Sequence, residues 1–159
     1  ILAYDLYEKD SVKQYASYVP LDTLYRESDI ISLHIPASEK DYHMISGEVM
    51  DTMKDGVILI NTARGSLIDS RALIDHLESG KIGAAGLDVV ENEFGMYYYD
   101  KKTDVMDNRE LAILKSFHNV VVTPHMAFYT NEAIRDMVYS SLKSCRLEAD
   151  GETNPWLIQ

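Results

Sequence analysis

The sequence predicts an α/β fold in which a parallel β-sheet is covered by helices on both faces. Short, almost uninterrupted apolar runs alternate along the chain with segments whose apolar residues have helical spacing. Strands buried on both faces have such continuous runs, and the alternation is typical of a doubly wound parallel sheet. Charged or ionisable side chains follow three of the runs directly. They predict one shared site, because ligands gather at the carboxyl ends of parallel strands.

The first part of the chain contains two predicted strands. The first strand covers residues 1–4 and stops at Asp5. After a polar, helical stretch, residues 21–28 again have helical spacing of their apolar side chains. The second strand covers residues 30–35 and ends at Pro36, which has no amide to donate to a strand ladder.

The remaining sequence continues the alternation of strand and helix. Asp69 is a suitable N-cap for a helix that ends at Gly80. The other predicted elements are a helix with an apolar face at 49–53, strands that begin at Val57, Ala84 and Val120, a short helix over 109–114, and an amphipathic helix over 131–147 with Ile134, Met137, Val138 and Leu142 on one side.

Composition and charge exclude several classes of function. The chain has 159 residues, 46% of them hydrophobic and 26% charged, as in ordinary globular proteins. Fifteen basic and 26 acidic residues give a net charge of −11, which repels nucleic-acid phosphates. No apolar run approaches the ~18 residues of a membrane span. The single Cys145 cannot form an internal disulfide and no secretory leader opens the chain, so we expect a cytoplasmic protein.

Three segments of the chain carry its most informative motifs. They are residues 57–65, which end in Arg64-Gly65, residues 84–93, which end in Glu93, and residues 120–125, which end in His125. Together they resemble the signature segments of the NAD-dependent D-2-hydroxyacid dehydrogenases, over nearly the whole chain. The resemblance implies a Rossmann-like dinucleotide-binding fold with NAD as the cofactor.

By this resemblance, Arg64 binds the substrate carboxylate and His125 moves the proton. Glu93 pairs with His125, and Asp88 is a second acid that modulates the protonation of the site. The residue types agree, because a guanidinium can bind a carboxylate through two hydrogen bonds and an anionic partner favours a charged imidazole. Glu91 is a rival carboxylate, and only the family spacing from Asp88 selects Glu93.

Further site residues follow from the strand ends. Asp5 suits the ribose hydroxyls of the adenosine and would repel a 2′-phosphate, which favours NAD over NADP, although it could also be a simple strand-ending turn residue. Phe128 and Tyr129 follow His125 closely enough to wall a small substrate pocket, and a packed turn would explain them equally. The other predicted cofactor contacts are His34, Pro36, Asn61, Thr62, Ala63 and Asp88.

Metal binding is not predicted. His43, His76 and His118 are expected to be solvated or to cap helices, and none has zinc-ligand spacing to a cysteine or an aspartate. The tyrosine run 97–99 is expected to serve packing or an interface.

The glycine-rich turn of a dinucleotide-binding fold is missing. Such folds carry Gly-x-Gly-x-x-Gly after their first strand, because bare backbone lets the pyrophosphate approach a helix N-terminus. We expect a sheet truncated at its N-terminus, without the first strand, the glycine-rich loop and the N-terminal substrate domain. Residues 1–128 would form a partial dinucleotide-binding domain, and residues 129–159 a helix and tail that return to the parent's substrate domain. The isolated chain would bind NADH weakly and associate through strand edges left open between residues 1–4 and 30–35.

The resemblance implies reversible reduction of a 2-keto acid to its D-2-hydroxy acid by an oxidoreductase whose parent is a homodimer. Residues 94–110 and 124–130 resemble the D-lactate dehydrogenase branch, so pyruvate is the first expected substrate, followed by 2-ketoisocaproate and phenylpyruvate. Two alternatives stay open. One is an NAD(H)-sensing corepressor that acts by binding partners, and the other is a truncated product without activity.

Overall fold

The computed structural model describes residues 1–97 and 108–157 of the chain. The chain divides into two compact units after His125. The first unit contains all the described β-strands, and the second contains the longest described helix. No described helix combines the length and the apolar character needed to cross a bilayer. Most of the predicted 94–110 insert, with Tyr98 and Tyr99, lies outside the described residues.

A small parallel sheet begins the first unit. It consists of β1 (Leu2–Ala3) and β2 (Ser17–Tyr18), with helix α1 (Asp10–Lys13) between them and helix α2 (Leu21–Glu27) after them. The sequence predicts β1 but not β2, because residues 1–4 form an apolar run, whereas Ser17 interrupts the apolar residues around β2.

The main sheet of the first unit has four parallel strands in the order β3-β4-β5-β6. Because the strands are parallel, all four carboxyl ends lie at one edge. The predicted parallel α/β arrangement is therefore confirmed. The strands are β3 (Ile30–Leu33), β4 (Val57–Asn61), β5 (Ile82–Leu87) and β6 (Val120–Val122), the helices between them are α3 (Gly47–Thr52), α4 (Ser70–Glu78) and α5 (Arg109–Leu114), and short 3-10 turns occur at Glu39–Asp41 and Gly65–Leu67.

Three strands have bounds that differ from those predicted. β1, predicted over residues 1–4, covers only Leu2–Ala3. β5 begins two residues before its predicted start at Ala84. Gly83 lies inside this strand, and a Cβ atom there would come within 2.5 Å of the Gly56 carbonyl oxygen. The glycine therefore permits a close backbone contact and does not mark a turn. β3, predicted over residues 30–35, ends at Leu33, where the pairing with β4 ends.

The core of the first unit lies between the main sheet and its helices. Val57, Leu59 and Asn61 on alternate positions of β4 are each at most 1% exposed. Helix α4 turns Leu73 and Leu77 into the same core. Asp69 caps this helix as predicted, because its carboxylate accepts two amide hydrogen bonds from the first turn.

The second unit consists of helix α6 (Asn131–Ala149) and a tail. The tail folds back on the helix, where the Asn154 amide donates to the Ser144 hydroxyl and carbonyl. No residue of α6 is buried, including those of the predicted apolar side. Three of the four residues assigned to that side are more than half exposed, namely Met137, Val138 and Leu142.

An apolar groove separates β1 from β3. It has a volume of about 390 Å³ and is lined by both strands and by α2. Among the described residues, no strand pairs with the facing edges of β1 and β3, which agrees with the expectation of open edges. Tyr25 lines the groove and is buried, and this burial, with a smaller contribution from the charge of Tyr4, raises the pKa of its hydroxyl to about 12.

We predict that the 159-residue chain self-associates through this groove. Ile30 lines the groove and is 58% exposed, so Ile30→Lys should reduce association, because a lysine on an edge strand disfavours edge-to-edge pairing. Light scattering over a concentration series measures the effect. Leu6→Lys is the control, since Leu6 is 81% exposed and does not line the groove. A monodisperse wild-type chain, or equal effects of both variants, would refute the prediction.

Candidate active site

The three predicted catalytic residues follow three neighbouring strands. Arg64, Glu93 and His125 lie in the segments after β4, β5 and β6. These strands are adjacent in the sheet, and their last residues are in register, with Asn61 opposite Leu87. The fold therefore brings the three segments to one edge of the main sheet.

His125 and Glu93 form a direct pair. The distance between His125 Nδ1 and Glu93 Oε1 is 2.8 Å, and the side chains are 36% and 19% exposed. The other oxygen of Glu93 accepts a hydrogen bond from the Val90 amide. The backbone of His125 has a φ of 53°, in the left-handed region that non-glycine residues rarely adopt. This conformation must be stabilised by the surroundings of the residue.

Asp88 provides that stabilisation. It is 4% exposed, and its carbonyl oxygen accepts a hydrogen bond of 2.8 Å from the His125 amide. Its own amide donates to the Asn61 carbonyl oxygen over 2.9 Å, and its carboxylate accepts a short hydrogen bond from the Thr123 hydroxyl. Asp88 thus connects the ends of all three strands. Sequence reasoning singled out the acid but missed Thr123, for which no motif gave a signal.

The rival carboxylate, Glu91, has other partners. Its Oε1 lies 2.6 Å from His43 Nε2, and its Oε2 accepts a hydrogen bond from the Ser70 amide over 2.8 Å. The two glutamates of the Glu91-Asn92-Glu93 run therefore contact different histidines. The geometry agrees with the choice of Glu93 as the partner of His125.

The turn that carries Arg64 is organised by Asn61. The Asn61 side chain accepts a hydrogen bond from the Ala63 amide and donates one to the Arg64 carbonyl oxygen. The Arg64 side chain is exposed, with one guanidinium nitrogen donating to the Ala63 carbonyl oxygen. Its remaining N–H groups can donate hydrogen bonds to a carboxylate.

Gly65 allows this turn to touch the segment after β5. A Cβ atom at Gly65 would lie 2.2 Å from both the carbonyl carbon and the carbonyl oxygen of Val90. The contact is between backbones, so no side chain could move to relieve it. The sequence indicated a turn at Gly65 but not this contact, because the partner lies 25 positions along the chain.

The predicted cofactor residues fall into two groups. Asp5 and His34 are exposed and line the groove between β1 and β3. Asp5 accepts a hydrogen bond from the Tyr7 amide, and His34 Nε2 lies 2.8 Å from the Ser32 hydroxyl. Pro36 and Thr62 are also exposed, whereas Asn61, Ala63 and Asp88 are buried.

The aromatic residues assigned to the substrate pocket belong to the second unit. Phe128 and Tyr129 pack edge to face, with ring centroids 6.1 Å apart. Their role in a pocket stays a prediction. The sequence assigned Tyr97 to packing or an interface. Burial, and to a smaller extent the charges of Glu93 and Asp88, raise the pKa of its hydroxyl.

The expectations for the isolated histidines need two corrections. His43 is neither solvated nor a helix cap, because its side chain is 25% exposed and lies between the carboxylates of Glu91 and Asp69. Ligand atoms of these three residues lie within 4.8 Å of one another, a set that the spacing argument against metal sites did not foresee. His118 is exposed, as expected. His76 is not solvated either, since its side chain is 15% exposed and lies 3.2 Å from Asp51.

Comparison with known proteins gives one consistent result. The family model described as "D-isomer specific 2-hydroxyacid dehydrogenase, NAD binding domain" matches residues 1–127. An aromatic 2-oxoacid reductase of Clostridium sporogenes is 50% identical over 142 residues, which are 89% of this chain and 43% of that protein.

Solved structures resemble the chain in the same region. The crystal structure of a D-lactate dehydrogenase from Treponema pallidum has a TM-score of 0.95 and 40% identity, covering 99% of this chain and 48% of that one. The D-lactate dehydrogenase of Lactobacillus jensenii with NAD+ has a TM-score of 0.93 and 39% identity, with the same coverage. The chain spans less than half the length of these proteins.

We predict that Gly65→Ala lowers the free energy of unfolding by about 3 kcal/mol, because overlapping backbone segments must separate. Gly86→Ala is the matched control. A Cβ atom there would meet only Ile60 at an ordinary 3.9 Å, so this variant should change the free energy by less than about 1 kcal/mol. Urea denaturation measures both. Equal stability of the two variants would mean that the Gly65–Val90 contact carries no constraint.

Proposed function

We propose that this chain, which belongs to the D-isomer specific 2-hydroxyacid dehydrogenase family and carries its NAD-binding domain, is part of an enzyme that reduces a 2-oxo acid to the D-2-hydroxy acid. The observation that carries the proposal is the 2.8 Å pair of His125 and Glu93 at the sheet edge where Arg64 also lies. An imidazole held at one nitrogen by a carboxylate is suited to transfer a proton through the other.

Each of the three residues has one part in the proposed reaction. Arg64 binds the substrate carboxylate through two parallel N–H groups and so orients the neighbouring carbonyl. Bound NADH supplies the hydride for the carbonyl carbon. His125 donates the proton from Nε2 to the carbonyl oxygen, and the ring becomes neutral as the C=O group becomes CH–OH. Glu93, on Nδ1, stabilises the charged ring before the transfer. In the reverse direction the neutral ring accepts the hydroxyl proton.

The residues present fit the NAD cofactor at the carboxyl ends of the strands. Asp5 offers an exposed carboxylate at the end of β1, which suits two ribose hydroxyls. His34, Pro36 and Thr62 are exposed at the ends of β3 and β4 and can contact the cofactor with their side chains. The other predicted cofactor contacts are buried, so their side chains can support the exposed residues but cannot contact the cofactor. They are Asn61, Ala63 and Asp88.

Two substrate classes have support. The resemblance of residues 94–110 and 124–130 to the D-lactate dehydrogenase branch favours pyruvate. The 50% identity to an aromatic 2-oxoacid reductase favours a larger acid such as phenylpyruvate, which the sequence placed second. The ratio of kcat/KM for pyruvate and phenylpyruvate, measured on the full-length protein, decides between them. An enzyme is favoured over an NAD(H)-sensing corepressor, because partner binding alone gives no reason for the His125–Glu93 geometry.

Arg64→Lys in the full-length protein should lower kcat/KM for the 2-oxo acid about 10- to 100-fold, because a point charge replaces a two-pronged donor. We expect most of the loss in KM and in substrate orientation. Arg71→Lys is the matched control, since Arg71 is exposed and pairs with Glu110 at 3.1 Å. Steady-state kinetics with NADH measure both. Wild-type kinetics in Arg64→Lys would show that Arg64 does not bind the substrate carboxylate.

Glu93→Gln should move the pH profile of the reaction to lower pH. Reduction needs a protonated His125, so its rate falls as pH rises through the titration of the ring. A neutral amide no longer favours the charged ring, and we expect this fall to move down by about 1–2 pH units. The rise of the reverse reaction with pH should move down equally, because the same ring must then be neutral.

The control for Glu93→Gln is Glu27→Gln, which removes an exposed carboxylate at the end of helix α2. It should leave both limbs of the pH profile in place. A shift caused by Glu91→Gln without any shift in Glu93→Gln would transfer the role to the other carboxylate.

A further inference from the structure

The turn that carries Glu93 is held from its other side by a second histidine–carboxylate pair. Glu91 and Glu93 are separated only by Asn92, whose φ of 54° is in the left-handed region. Glu91 contacts His43, and Glu93 contacts His125. The run therefore sends its two carboxylates to two separate histidines, and any movement of one glutamate acts on the other through three residues of backbone.

Glu91 is fixed at several points. Its carboxylate is bound by His43 Nε2 at 2.6 Å and by the Ser70 amide at 2.8 Å, at the start of α4. Its carbonyl oxygen accepts a hydrogen bond of 2.9 Å from the buried side chain of Asn108. With 16% exposure, the Glu91 side chain has little freedom to choose other partners.

His43 is fixed as firmly as its partner. Its amide donates to the Ser66 carbonyl oxygen over 2.9 Å, and its ring stacks on Tyr42 with the centroids 3.9 Å apart. Nδ1 lies 3.6 Å from Asp69 Oδ2, so the ring lies between the carboxylates of Asp69 and Glu91.

The same atoms do not suit a metal ion. The 2.6 Å separation of His43 Nε2 and Glu91 Oε1 is that of a direct hydrogen bond, and the second oxygen of each carboxylate is bound by amides at the start of α4. The N-terminus of a helix is the positive end of its dipole, so it favours the carboxylates and opposes a cation. These contacts indicate that the three side chains form a hydrogen-bonded cluster within the protein and not a metal site.

We propose that His43 is a positioning residue: with Asp69 and Glu91 it forms a clamp that holds the Glu91–Glu93 turn so that Glu93 faces His125. The importance of the clamp for catalysis rests on the proposed function. The contact that it maintains is measurable without substrate, as the titration of the His125 ring.

The test is His43→Gln in the full-length protein. Glutamine can still fill the space beside Glu91 but cannot contact Glu91 and Asp69 through two ring nitrogens as His43 does. If the clamp loosens, Glu93 meets His125 less often, and the fall of the reduction rate with pH moves down by about half a unit. A direct charge effect has the opposite sign, because removing a cation favours protonation of a nearby ring. The other charged groups at the clamp, Arg71 and Glu110, pair with each other and stay unchanged.

A double-mutant cycle separates positioning from an independent effect. If His43 acts through Glu93, the variant with both His43→Gln and Glu93→Gln should have the pH profile of Glu93→Gln alone. Additive shifts would overturn the proposal, and so would a shift of His43→Gln to higher pH or none. His76→Gln is the control, since His76 contacts Asp51 at 3.2 Å away from the site, and it should leave the profile in place.

Two additions keep the result decisive. Asp69→Asn retains an N-cap oxygen for α4 but removes the charge beside His43, so it should give a smaller shift in the same direction even if His43→Gln fails to fold. NMR titration of the His125 ring in the same variants measures the contact without turnover. Absence of activity with an intact NMR effect would reject the proposed function alone, and absence of the NMR effect would reject the clamp.

Discussion

The site depends on one buried residue, Asp88, which connects the carboxyl ends of β4, β5 and β6. Its amide, carbonyl and carboxylate bond to Asn61, His125 and Thr123 respectively. A buried acid is costly unless its oxygens have partners, so these contacts must form together when the strands align. The connection lets His125 adopt its left-handed backbone, because the bond from its amide holds it to the neighbouring strand end. A change at Asp88 would therefore alter geometry and charge at once.

A second constraint is the close packing of backbone segments. The turn after β4 and the segment after β5 touch at Gly65 and Val90, where no side chain can be accommodated. This contact places the Glu91–Glu93 turn against the start of α4, whose first amide is bound by Glu91. Packing thus sets where the turn lies, and hydrogen bonds set which carboxylate faces which histidine. Neither effect alone would select Glu93.

Much of the fold and part of the site could be predicted from local patterns. Continuous apolar runs identified β3 to β6, and the position of Arg64, Glu93 and His125 after such runs placed them at one edge, because parallel strands end together. The strand β2 was missed because Ser17 interrupts the apolar residues around it. His43 was missed because its partner Glu91 lies 48 positions away, and a single histidine between elements has no pattern that reveals a distant contact.

The two halves of the proposed site depend differently on the rest of the molecule. The groups assigned to proton transfer lie beyond β4, β5 and β6, strands that already pair with each other along their facing edges. Asp5 and His34, assigned to the cofactor, border the groove where β1 and β3 have no pairing partner. Strand pairing fixes a strand end through its neighbours, and no described strand pairs with the facing edges of β1 and β3, so pairing does not fix Asp5 relative to the main sheet. The described strands can therefore organise the proposed proton transfer, whereas the proposed cofactor contacts border an edge that strand pairing leaves open.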